Sequence, residues 1–210
     1  MNKEIILTPE QLFFMGRLLQ AKYIDYAYVA AMNDINQNFT LFETEAKAAL
    51  VSNGILMEDF GGNVEVDPVV LGVLKPIFFG EIETSIDICN IGETNTVSVF
   101  KYHFHDGAVT MVTGEKGKLL IKVADQFTIR EKVESLIADT YTATNQTVET
   151  IDKSKISRFI AFKQINVGTT SMVKTYIESD GVFYQEKEES IESVTKEQFI
   201  SDAFEVVKGV

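Results

Sequence analysis

His103 and His105 are the only two histidines, and they stand two apart. On a strand that spacing turns both rings to one face, with the Asp106 carboxylate adjacent. Two imidazoles and a carboxylate are the beginning of a metal site. A closed site takes three or four ligands, and neither a third histidine nor a second cysteine is present to complete one. Both are therefore expected to be polar residues of a surface strand, with Phe104 between them facing the core. No metal site is expected.

Gly114-Glu115-Lys116-Gly117-Lys118 has the composition of a phosphate-binding loop, but its spacing fails. The first glycine of that motif would fall on Val112, and Leu119 stands where Ser or Thr would meet magnesium. A lysine-tipped hairpin is expected instead. The serines lack a G-x-S-x-G elbow and a second histidine-bearing motif to activate them. The carboxylate pairs Glu81/Glu83 and Glu188/Glu189 lack the apolar setting that separates two pKa values, and read as exposed charges. No catalytic set emerges, and neither enzymatic activity nor a cofactor is expected.

The chain has 210 residues and a formal charge of −12. Between Glu178 and Glu205, nine acidic residues face only Lys187 and Lys196, a local charge of −7. Such a field repels phosphate backbones and anionic membranes. It reads as a solvated face or, more sharply, as a surface that meets a basic protein. The N-terminus lacks the pattern of a secretory signal, and no apolar run approaches a membrane span, so neither membrane insertion nor export is expected. The lone Cys89 fits a reduced, cytoplasmic setting, where it behaves as a small buried hydrophobe. Asn145-Gln146-Thr147 matches a glycosylation acceptor only formally.

The elements follow from local signals. Thr8, Pro9 and Gln11 form a capping box that opens a helix. Tyr23 to Met32 has a mixed period. Thr40 or Thr44 is the expected cap of the next helix, which Asn53-Gly54 ends. Ile55 to Met57 and Val64 to Val66 pair as a hairpin, and Asp67-Pro68 opens a helix that Pro76 should kink or end near Val73–Lys75. Helix, hairpin and helix in that order outline a winged-helix unit. Its helix offers Glu43, Glu45 and one Lys47, and its wing Glu58, Asp59 and Glu65, so nucleic acid is not the expected partner.

From Glu81 the period becomes two. Ile82 to Ile88, Val97 to His105, Val109 to Val112 and Leu119 to Val123 form an antiparallel meander with turns at Asp106-Gly107 and Gly114–Gly117. Val97, Val99 and Lys101 share one face; Ser98, Phe100, Tyr102 and Phe104 share the other. Thr128 to Ala138 and Asp152 to Phe162 read as helices, and Thr140 to Thr150 as loop. Thr170–Glu178 and Val182–Glu186 read as a hairpin. Thr195 and Gln198 open a last helix that buries Phe199, Ala203, Phe204 and Val207. The expected fold is one α+β domain over residues 1–210, a meander sheet flanked by helices. Two quasi-symmetric halves, 1–125 and 126–210, are suggested within it.

This order resembles a known family. The L-T-P-E-Q-L opening, the E-x-x-A-x-x-x-L-x-x-x-G-I-L unit from Glu43 (Ala46, Leu50, Gly54, Ile55, Leu56) and the Asp67-Pro68 helix start before a meander are similar to EspG-like chaperones of type VII (ESX) secretion systems and their Firmicutes relatives. The resemblance covers most of residues 5–125. It implies a cytoplasmic, non-enzymatic chaperone or adaptor that binds a helical secreted protein or toxin. The implied contact surface is the meander around Val97, Val99, Phe100, Tyr102, Phe104, Val109 and Met111, with the acidic segment at Glu186, Glu188 and Glu189. No oligomeric state follows. The alternative is an acidic winged-helix regulatory protein acting through protein contacts.

Overall fold

The computed structural model describes residues 4–30, 32, 39–166, 169–187 and 190–207. In chain order the elements are β1 (Glu4–Leu7), α1 (Pro9–Leu18), α2 (Tyr26–Ala30), α3 (Phe39–Ser52), β2 (Leu56–Glu58), β3 (Val64–Val66) and α4 (Pro68–Phe79). There follow β4 (Ile82–Asn90), β5 (Thr96–His105), β6 (Ala108–Glu115), β7 (Lys118–Ala124) and α5 (Gln126–Glu134). The remainder is β8 (Thr147–Val148), a 3-10 turn at Lys153–Lys155, β9 (Ile156–Asn166), β10 (Thr169–Ser179), β11 (Val182–Glu186), β12 (Ile191–Ser193) and α6 (Lys196–Val207). Strands β2 and β3 pair with each other; the other strands hydrogen-bond in the order β1-β7-β6-β5-β4-β9-β10-β11-β12-β8. The fold is thus mixed, with a large antiparallel sheet. None of the described helices is long and apolar enough to cross a membrane.

The chain forms two compact units. One comprises Met1–Glu81 and His103–Val123, the other Ile82–Tyr102 and Ala124–Val210. Strand β4 and most of β5 therefore group with the later part of the chain.

In the first unit, the Gln11 amide donates to Thr8 Oγ1 (3.2 Å) while Gln11 Oε1 accepts from the Thr8 amide (2.9 Å), closing the expected capping box. Helix α3 starts at Phe39, so neither Thr40 nor Thr44 caps it. Both lie within the helix, and Thr44 Oγ1 donates back to the Thr40 carbonyl. At its end Gly54 takes φ +67°, and the Ile55 amide reaches back to the Leu50 carbonyl (3.0 Å). Asp67 accepts from the amides of Val69 and Val70, both at 3.0 Å, and so starts α4. Pro76 does not end that helix, which continues to Phe79. One turn follows it, so the missing N–H forfeits a single intrahelical bond, and burial of Ile77 and Phe78 offsets the loss. Leu12, Met15, Leu50, Leu74 and Phe78 pack with Ile5, Leu7, Val112 and Ile121 in this unit's core.

In the second unit, the segment expected as a helix over 152–162 is mostly strand β9. It pairs with β4 (Ile86↔Phe162, Ile88↔Ile160) and with β10 (Tyr176↔Ile160). Helix α6 opens where the Gln198 amide donates to Thr195 Oγ1 (3.1 Å). It lays Phe199 against Phe162, Tyr176 and Phe183, at ring-centroid distances of 5.5, 4.8 and 4.9 Å. Phe204, expected in the core, is only half-buried. Helix α5 spans Gln126–Glu134 rather than 128–138, because Asp125 caps it by accepting from the Thr128 amide (2.7 Å).

The hairpin turns Asp106-Gly107, Lys116-Gly117 and Asp180-Gly181 each have two positive φ values. That geometry matches the twist of the flanking strands. Strand β6 thus runs on to Glu115, and the turn is Lys116-Gly117 alone.

Candidate interaction surface

His103 and His105 share one side of β5, but His103 is buried rather than a surface residue. Its Nε2 lies 2.8 Å from the Tyr28 hydroxyl of α2, a partner distant in sequence. His105 is half-buried beside the Phe79 ring, with Asp106 at 3.4 Å. Among the described residues no group of three or more His, Cys, Asp or Glu could hold a metal ion. The Gly114–Lys118 segment is a strand end and a tight turn.

Within the second unit, the two faces of the sheet differ. Helix α6 covers the side that carries Thr84, Ile86, Ile160, Phe162 and Tyr176. Thr84 Oγ1 there donates to the Val207 carbonyl (3.4 Å), and the Tyr176 hydroxyl to Asp202 (2.7 Å). Strand alternation sends the intervening residues to the other side. Register places Cys89 opposite Phe159, Phe159 opposite Ile177, and Ile177 opposite Tyr184. These four side chains form an apolar row running across β4, β9, β10 and β11. Val97 extends it onto β5, where Asn90 Nδ2 joins Thr96 Oγ1 (3.1 Å) at the head of the strand pair. Val97 is 69% exposed and Phe159 39%.

A group of charges lies beside this row on the same face. Lys101 Nζ donates to Glu83 Oε1 (2.7 Å), and Lys163 pairs with Asp87. Glu83 was expected as an exposed charge; it is buried. Burial, aided by the nearby Asp87 carboxylate, pushes Glu83 up to about 7. Burial, aided by Lys163, brings Lys101 down to about 8. Lys163 and Asp87 balance each other, and burial works against charge on both Glu83 and Lys101, so the apolar row borders a polar patch with little net charge.

The expected contact residues divide. Val97 and Val99 share the parity of Lys101 and lie on this face. Phe100 lies on the opposite face, beneath Lys132 Nζ, which is 3.8 Å from the ring centroid. Tyr102 is fully buried and Met111 nearly so, and neither offers a surface to a partner. Phe104 and Val109 are half-buried residues of the first unit, as Met111 is a buried one. Glu186 is exposed at the end of β11, while Glu188 and Glu189 lie outside the described residues. Sequence reasoning missed Cys89, Phe159, Ile177 and Tyr184. The signal for the second of these was the alternation Phe159, Ala161, Lys163, Ile165, hidden once the segment is read as a helix.

No family model matches the chain, and no curated protein matches it in sequence. Among solved structures the chain is similar to the type VII secretion system chaperone EspG5 of Mycobacterium tuberculosis, determined in complex with a PE25-PPE41 dimer. The TM-score is 0.64, and the match covers 99% of this chain and 97% of that one. The fold is EspG-like. Identity is 9%, so the likeness lies in the arrangement of elements and not in shared side chains. The EspG-like fold runs through both units, well past the residues 5–125 that carried the resemblance in sequence.

Proposed function

We propose that this chain is a cytoplasmic, non-enzymatic chaperone or adaptor that holds a helical secreted protein, or a toxin with such a segment, before export by a type VII system. The observation that carries this is the likeness to EspG5 along 99% of the chain. The second unit supplies a surface of suitable shape. Neighbouring strands are about 4.8 Å apart and a helix is about 10 Å wide, so the row from Val97 to Tyr184 offers a helix roughly its own width and more. The client buries an apolar stripe on Val97, Cys89, Phe159 and Ile177, and its polar flank meets the partly exposed Lys163–Asp87 pair. In this reading the α3–β2–β3–α4 unit is a winged-helix-like docking module, and residues 1–125 and 126–210 are two quasi-symmetric halves. Lys47, the only cation on α3, is held by Glu58 (2.7 Å) and the Gly62 carbonyl (3.0 Å), which disfavours a role in reading nucleic acid.

The test is affinity purification from the native cell with the wild type and a Val97→Asp/Phe159→Ser variant, each checked for an unchanged circular dichroism spectrum. The wild type is expected to recover small helical secreted proteins, and the variant about tenfold less of them. Recovery of no such protein by the wild type refutes the chaperone reading. Equal recovery by both refutes the face.

A further inference from the structure

The β2–β3 hairpin ends in Asp59-Phe60-Gly61-Gly62-Asn63, and its tip combines a rigid backbone with an aromatic ring in open solvent. Phe60 is fully exposed, at 115% of the reference value, and Met57 on the same hairpin is 48% exposed. Leu56, its neighbour on β2, is buried, so the hairpin itself is anchored.

The loop beneath Phe60 is held from several directions. Asp59 Oδ1 accepts from the amides of Gly61 (2.8 Å) and Asn63 (2.9 Å), and Oδ2 from Asn63 Nδ2 (2.9 Å). The Gly62 amide donates to the Asp59 carbonyl and the Asp59 amide to the Asn63 carbonyl, both at 3.0 Å. From α3, Lys47 Nζ binds the Gly62 carbonyl at 3.0 Å and Glu58 at 2.7 Å. Gly62 is required by this shape, with φ +83°. A Cβ at Gly61 would sit 3.2 Å from Asp59 Oδ1 and 3.3 Å from Asn63 Nδ2, a tight fit that those side chains would have to ease. The Asx turn and the left-handed glycine close the hairpin and at the same time fix where Phe60 is presented. An anchor fixed in advance loses little freedom on binding.

The charges around the ring indicate its partner. The hairpin carries Glu58, Asp59 and Glu65 against the nearby cation Lys47, which pairs with Glu58, so Asp59 and Glu65 leave it acidic. We propose that Phe60 is an anchor that inserts into an apolar pocket of a partner protein whose rim carries lysine or arginine. An anionic membrane would be repelled by the same carboxylates. A second copy of this chain, with its formal charge of −12, is a poor match for an acidic tip. This anchor is independent of the client surface on the second unit, and either can fail alone.

The test places p-benzoylphenylalanine at position 60 in the native cell, with the same residue at exposed Tyr26 as control. Light is expected to join position 60, but not position 26, to one partner protein. That partner, purified, is expected to bind the wild-type chain about tenfold tighter than Phe60→Ser, with affinity falling as salt rises. Glu65→Lys is expected to weaken binding, and Gly62→Ala to weaken it while leaving Phe60 in place. All three variants are first checked for unchanged far-ultraviolet circular dichroism, and binding of the client proteins is expected to be unaffected. A cross-link to lipid or to a second copy, no cross-link, or a captured protein whose affinity is indifferent to Phe60→Ser overturns the proposal.

Discussion

Replacing Glu83 by glutamine should change how stability depends on pH. In the folded chain Glu83 ionises at about 7 instead of 4.5, burial being the main cause. The folded state therefore keeps this proton where the unfolded state has lost it. Stability from this group is greatest at low pH, and falls as pH rises from about 4.5 to 7. One pKa unit is about 1.4 kcal/mol, so the share lost between about pH 5.5 and pH 7.5 is roughly 2 kcal/mol. Glutamine has the same shape as the protonated acid and does not titrate. Without the Glu83 carboxylate, Lys101 also gives up its proton more readily, which acts in the same direction. Urea unfolding at these two values, both above the sequence pI of ≈ 4.6, should show Glu83→Gln gaining roughly 2 kcal/mol on the wild type as pH rises. A difference that stays flat, or moves the other way at unchanged m-value, refutes the account of Glu83 as a carboxyl strained by burial.

Phe199→Ala should destabilise the second unit by about 3–5 kcal/mol, read as a lower urea midpoint, because the ring is fully buried among Phe162, Tyr176 and Phe183. Asp202→Ala should cost about 2–4 kcal/mol in the same measurement. Its carboxylate accepts from Lys174 (2.6 Å), Tyr176 (2.7 Å) and Gln198 (2.8 Å), and the alanine leaves the buried Tyr176 hydroxyl without that acceptor.

What was legible in the sequence was chemistry confined to a few neighbouring residues. Thr8 with Gln11, Asp67 with Pro68, Asn53-Gly54 and Thr195 with Gln198 all act as read, because a cap needs only its own first or last turn. The Asp-Gly turns act as read for the same reason. The failures are residues whose state is decided far away along the chain. Ile156, Phe159, Ile160 and Lys163 follow a helical spacing, yet β4 supplies a pairing edge that a local reading cannot see. Glu83 looks like a surface charge until Lys101 and Asp87 are placed beside it. His103 looks like a strand-surface residue until Tyr28, 75 positions earlier, closes over it. The candidate surface suffered most: Val97 and Val99 were legible from alternation. Cys89, Phe159, Ile177 and Tyr184 become one row only through the register of four strands.

The place of α6 has a consequence for how the chain is made. Strand β4 finds its neighbour β9 only much later in synthesis, as the Asp87–Lys163 pair, 76 positions apart, shows. The lid over Phe162, Tyr176 and Phe183 arrives later still, with Phe199. On the ribosome those rings face water until α6 has emerged, so the second unit reaches its folded state only once α6 is free to dock. A nascent chain stalled before residue 199 is then itself an aggregation-prone species that calls for the protection this protein is proposed to give others.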